Sequence, residues 1–177
     1  MKLTWFGGTT IRIHIGGAIL VVDPAGAPAA IDAAELVSGA DIVIAGFGAD
    51  LPTLDTSEWK PRKPPRLLDE SEILPPVEVW SAGAGAVLVD AIGEPPLLLV
   101  RGKIPPLGRW AESAVLALFG SAERLSELGN AILDDTPPRL LALAGDEAAI
   151  DATITALRDR LDETGLVSLE AGLALEI

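Results

Sequence analysis

The sequence predicts a mixed α/β domain, and three features carry that prediction. The first 46 residues are a run of short strands broken by glycine pairs. A second group of apolar strands lies between residues 77 and 100, and the remainder mixes helical periodicity with further strands. Sheets whose strands lead into helices must bury one face of each, which builds layered α/β structures.

Leu3 to Phe6 is short and apolar and ends at Gly7-Gly8. Ile11-Arg12-Ile13-His14-Ile15 alternates strictly, the period of a half-buried strand, with Arg12 and His14 opposite the isoleucines. Gly16-Gly17 reads as a hairpin turn, because glycine accepts the positive φ that tight turns need. Ala18 to Val22 is a continuous apolar run, expected as a strand buried on both faces and ending at Asp23-Pro24. Ile31 to Val37 is predicted as a short helix closed by Ser38-Gly39. Asp41 to Ala45 is then expected as another buried strand, running into Gly46-Phe47-Gly48.

Residues 52 to 76 form a proline-rich, basic loop insertion, since proline cannot donate a ladder hydrogen bond. Strands are expected at Val77 to Trp80, Ala86 to Val89 and Leu97 to Val100, with turns at Gly83 to Gly85 and Gly93 to Pro96. Trp110 to Phe119 and Ala122 to Leu133 are expected helices, and Leu140 to Leu143 a buried strand. Asp146 to Leu161 is the clearest helix, with Ile150, Ile154, Leu157 and Leu161 on one stripe. Two short strands, Val167 to Leu169 and Leu173 to Ile177, close the chain. No fixed-period repeat or long linker divides it, so residues 1–177 are read as a single domain.

Composition bounds the function. One histidine and no cysteine mean that the chain cannot build a histidine- or cysteine-based metal centre from its own residues. The net charge of −13 repels phosphate backbones and anionic lipid surfaces, so neither nucleic acid nor membrane is an expected partner. No apolar run reaches the length of about 18 residues that a spanning helix needs, and the N-terminus lacks a signal-peptide pattern, so a cytoplasmic protein is expected. A 49% hydrophobic content and a mean hydropathy of +0.40 are high for a soluble monomer. They prompt the expectation of a second subunit covering part of the surface, most simply in a homo-oligomer.

Trp5-Phe6-Gly7-Gly8, the Gly16-Gly17 hairpin and Val22-Asp23-Pro24 occur in an order and spacing that resembles the metallo-β-lactamase fold family, especially its small bacterial hydrolase branch. The likeness covers roughly residues 1 to 55. It implies a shortened four-layer αββα sandwich with mixed β-sheets, and a metal-dependent hydrolase. That family's metal loop, His-x-His-x-Asp-His, would fall on Ala45, Phe47, Ala49 and Asp50, and the histidine after the first strand on Gly8. Alanine, phenylalanine and glycine side chains offer no lone pair, so of these positions only Asp50 could ligate the metal that generates hydroxide in such hydrolases. A later bridging aspartate would fall near Arg101-Gly102-Lys103-Ile104, and a last histidine near Ala142 to Gly145.

Other candidates are weaker. His14 reads as a strand histidine with no nucleophile tied to it by spacing. Asp50 and Asp55, with Asp23 and Asp41, offer oxygens to a hard cation such as Mg²⁺, while Asp23 is expected to cap the loop after its strand through backbone N–H groups. Gly46-Phe47-Gly48 and Ser81 to Gly85 lack the pattern of a phosphate-binding loop. Lys60, Arg62, Lys63 and Arg66 concentrate positive charge in an acidic chain. They are read either as a partner contact or as joining Arg101 and Lys103 around an anionic ligand. The expected function is therefore a non-catalytic binding or assembly module without cofactor, with a small-molecule ligand, a second copy or a related active subunit as partner. The alternative is a hydrolase of altered mechanism using carboxylates or an oxygen-ligated cation.

Overall fold

The structure is a computed structural model and describes residues 1–64 and 75–177. The described residues form a mixed α/β fold with two mixed sheets and three α-helices. Strands β1 (Lys2–Gly7), β2 (Thr10–Ile15), β3 (Ala18–Val22) and β4 (Ile42–Ile44) form the first sheet with the last strand, β11 (Ala174–Glu176). Its order is β11-β1-β2-β3-β4, antiparallel except for β3 and β4. Both glycines of the β2–β3 turn have positive φ, as the hairpin requires.

The second sheet holds β5 (Val77–Gly83), β6 (Ala86–Ala91), β7 (Leu97–Val100), β8 (Val115–Phe119), β9 (Leu140–Ala144) and β10 (Gly165–Ser168). In the order β10-β9-β8-β7-β6-β5, the pairs from β10 to β7 are parallel and the β7-β6-β5 meander is antiparallel. The helices are α1 (Ala33–Val37), α2 (Ala122–Asp135) and α3 (Glu147–Leu157).

Two apolar clusters hold these parts together. Leu3, Ile13 and Leu20 of the first sheet meet Val89, Leu99 and Ala117 of the second, so the sheets pack face to face. Leu88, Leu98, Leu116 and Leu141 point the other way and meet Leu125, Leu128 and Ile132 of α2 and Ile150 and Leu157 of α3. Strands buried on both faces read as unbroken apolar runs, which β7, β8 and β9 do. On the outer face of the first sheet, Arg12 donates to the carbonyls of Leu36 (2.8 Å) and Ser38 (3.0 Å). A cation thus meets the unpaired carbonyls at the end of α1.

Four sequence expectations are corrected. Trp110 to Phe119 is not a helix: Arg109–Ser113 is a 3-10 turn and Val115–Phe119 is the central strand β8. Asp41 to Ala45 is not a buried strand, because β4 is an edge strand of three residues with Val43 half exposed. The last helix is α-helical only to Leu157, and Ile154 on its predicted stripe is exposed. Ser81 to Gly83 continues β5, so the turn is confined to the residues after it.

The insertion at 52–76 is described as far as Pro64 and from Leu74's successor Pro75 onward; Arg66 lies outside the described residues. Its first part is tied down. Thr53 bridges Ser81 at the β5 edge, and Trp59 stacks edge-on against Trp80 (6.0 Å between centroids) and Trp110 (5.1 Å). Trp110 donates its indole N–H to the Thr56 carbonyl at 2.7 Å. No helix among the described residues is long and apolar enough to cross a membrane.

Candidate functional site

Parallel strands running side by side end together, and the crevice beyond their carboxyl ends is the ordinary ligand site of open α/β sheets. Here β7, β8 and β9 end at Val100, Phe119 and Ala144. A cleft of about 680 Å³ opens beyond them, in the size range of small-molecule sites. Arg101 enters from the end of β7, and Phe119, Gly120, Ser121 and Arg124 from the β8–α2 junction. The β9–α3 junction adds Ala144, Gly145 and Asp146. The wall opposite is Trp5 with the β1–β2 turn residues Gly8 and Thr9.

Beside this cleft the loop after β4 turns sharply. Gly46, Phe47 and Gly48 all have positive φ, at 53°, 55° and 84°. That conformation is unfavourable for phenylalanine, and burial has to compensate it. Phe47 is 2% exposed and meets Phe119 edge-on at 5.5 Å. The Arg101 guanidinium lies over the Phe47 ring, 5.0 Å from its centroid, a cation–π arrangement. The same guanidinium reaches Asp23 Oδ2 at 3.4 Å and the Gly46 carbonyl at 3.5 Å.

Asp23 corrects its predicted role. It adopts left-handed backbone (φ 49°), but its carboxylate caps no backbone N–H. Instead it accepts the Thr9 hydroxyl at 2.5 Å and pairs with Arg101. Thr10, also buried, donates to the Asp23 carbonyl at 2.6 Å. These bonds fasten the β1–β2 turn to the end of β3. Two of the other candidate acids are occupied locally. Asp41 accepts from the Ile19 N–H at 2.8 Å, and Asp55 accepts from both the hydroxyl and the backbone N–H of Ser57, which hold its carboxyl below the usual range. Among the described residues no group of three or more His, Cys, Asp or Glu stands together to hold a metal ion.

Of the positions aligned with the metal loop, only Phe47 is buried; Ala45, Ala49 and Asp50 are exposed and do not line the cleft. Gly8 does line it. Its φ is +54°, and a Cβ built there would overlap the Gly26 carbonyl oxygen. The position is therefore closed to a side chain, and the residues present do not fit a metal centre of the implied type.

The basic segment divides. Arg62 is consumed within the chain: its Nε meets Asp90 Oδ2 at 2.6 Å, and its other nitrogens donate to the carbonyls of Asp90 (2.8 Å) and Pro75 (2.8 Å). Asp90 pairs with Glu78 at one end of β6, whereas the Arg101 N–H bonds the Gly85 carbonyl at the other. The expectation that Arg62 joins Arg101 around an anion is corrected accordingly. Lys60, Lys63 and Lys103 are exposed. His14 lies away from the cleft, beside Lys2 across the strand pair; burial first, and then Lys2 and Arg12, lower its pKa below the ordinary 6.5.

Sequence reasoning missed Thr9, Phe119, Gly120, Ser121 and Arg124. The signal was there: an apolar run, then Gly-Ser, then an amphipathic helix, which is a strand-to-helix junction. No family model matches the chain, and neither a curated protein nor a solved structure is significantly similar to it.

Proposed function

We propose that this chain is a non-catalytic binding module on a shortened, metallo-β-lactamase-like αββα sandwich, with its ligand taken in the cleft beyond β7, β8 and β9. The layer order supports the scaffold: α1 is held to one sheet by Arg12, the two sheets face each other, and α2 and α3 cover the far side. Gly8, Arg101 and Gly145, three positions far apart in sequence that the resemblance singles out, line one cleft.

The observation that carries the loss of catalysis is the packed column of Phe119, Phe47, Arg101 and Asp23. A hydrolase of this type polarises its substrate and ionises water with a metal held by nitrogen and oxygen donors. Here the loop supplies an aromatic ring, and the ring is covered by a cation, which repels a second cation placed nearby.

The test is turnover by the full chain of an ester, a lactone and a phosphodiester, each with added Zn²⁺, Mn²⁺ or Mg²⁺. Rates indistinguishable from buffer are expected. Activity that disappears in Asp23→Asn or Asp50→Asn would return the carboxylate or oxygen-ligated hydrolase instead. An assembly role, with a second copy or a related active chain, predicts a stable complex on gel filtration.

A further inference from the structure

Two guanidiniums stand at one corner of the cleft, in a chain with 26 acids against 13 lysines and arginines. We propose that this corner binds a phosphate-type oxyanion between the guanidiniums of Arg101 and Arg124. The proposal rests on the binding-module reading and gives that site its ligand class.

The two arginines come from separate elements, the end of β7 and the first turn of α2, yet line one cavity. Each is held by neighbours that leave part of its fork available. Arg124 donates to the Gly102 carbonyl and pairs with Glu127 at 2.6 Å. Arg101 rests on the Phe47 ring and makes only long contacts, 3.4 Å to Asp23 and 3.5 Å to Gly46. Guanidinium carries donors in a rigid plane that matches two oxygens of a phosphate at once, so two such groups on one cavity favour that geometry.

The backbone adds to them. Ser121 is the N-cap of α2, and its hydroxyl makes no capping bond, so the first-turn N–H groups lack a side-chain acceptor. Those donors and the helix dipole favour an anion at the same corner. Trp5 and Phe119 supply an apolar wall on which an organic group carrying the phosphate can lie.

The acids nearby limit the charge of the ligand. Asp146 also lines the cleft, its carboxylate accepting from the Ala149 N–H at 2.8 Å, and Asp23 and Glu127 sit on the two arginines. Together their charge offsets that of the two guanidiniums and opposes a polyanion, in keeping with the net charge of −13.

The test is an NMR titration of the isotope-labelled full chain with inorganic phosphate and, separately, with phenyl phosphate. Saturable shifts at about 1 mM or below are expected at the amides of Gly120 to Arg124 and at the Arg101 side chain. Tighter binding of phenyl phosphate assigns a phosphate monoester, and equal binding a free phosphate; both bear the proposal out. Ser121→Asp places a carboxylate where the anion would sit while capping α2, so it keeps the fold and weakens binding by roughly tenfold or more. Arg124→Gln is expected to weaken it similarly, with unchanged melting as its control. Absence of shifts, shifts confined to Lys60 and Lys63, or undiminished binding by folded Ser121→Asp would each overturn the proposal. Such a result leaves the non-catalytic reading standing, because that reading falls only if metal-dependent turnover is found.

Discussion

At the scale of single residues, Gly8 shows how tightly the β1–β2 turn is constrained. Its left-handed backbone and the neighbouring Gly26 carbonyl exclude any Cβ. Gly8→Ala is expected to cost about 2 kcal/mol or more, read by urea denaturation, from positive-φ strain with overlap added. Gly8→His is expected to be no better tolerated and to confer no zinc binding. Arg62 is the second decisive residue. It neutralises Asp90, which is 0% exposed and whose Oδ1 has no hydrogen-bond partner among the described residues. Arg62→Met leaves a buried carboxylate without its cation, and a loss of about 3–5 kcal/mol is expected. Combining it with Asp90→Leu is expected to recover most of that stability, because the cost lies in the stranded charge. Sequence showed Arg62 as one cation in a basic run; its partner is 28 residues away, beyond the reach of any local pattern.

At the scale of elements, legibility followed periodicity and punctuation. The strands flanking Gly16-Gly17 were readable because strict alternation and a glycine pair both signal a hairpin. Val115–Phe119 was not, because a short, wholly apolar run is equally consistent with a buried helix, and only its parallel neighbours β7 and β9 decide the matter. Misreading β8 also concealed the β8–α2 junction, and with it Phe119, Gly120, Ser121 and Arg124 of the cleft. The helices themselves are matched at Gly129, where a Cβ would approach Leu157 Cδ1 of α3 to 2.5 Å. Gly129→Ala gains about 1 kcal/mol of helix propensity and loses a similar amount by displacing a flexible leucine tip, so a near-neutral change is expected. Gly129→Leu cannot be relieved in that way, and thermal melting should show a loss of about 1–3 kcal/mol.

At the scale of the molecule, the high apolar content has an internal destination. One cluster fills the space between the sheets and another lies under α2 and α3, while only Ile31, Val43, Ile154 and Leu173 are large apolar side chains left exposed among the described residues. Much of the hydropathy thus has a destination among the described residues, and a second subunit is a proposal that gel filtration tests. The same packing reaches the cleft at Phe119 and, through it, Phe47, so on the proposed scaffold the place where metal ligands would stand is continuous with the core. That continuity bears on metal affinity before it bears on activity. The most direct measurement is the metal content of the purified full chain after incubation with excess Zn²⁺ and Mn²⁺ and exhaustive dialysis. Far less than one ion per chain is expected; one or more tightly held ions per chain, lost on substituting Asp23 or Asp50, would contradict it.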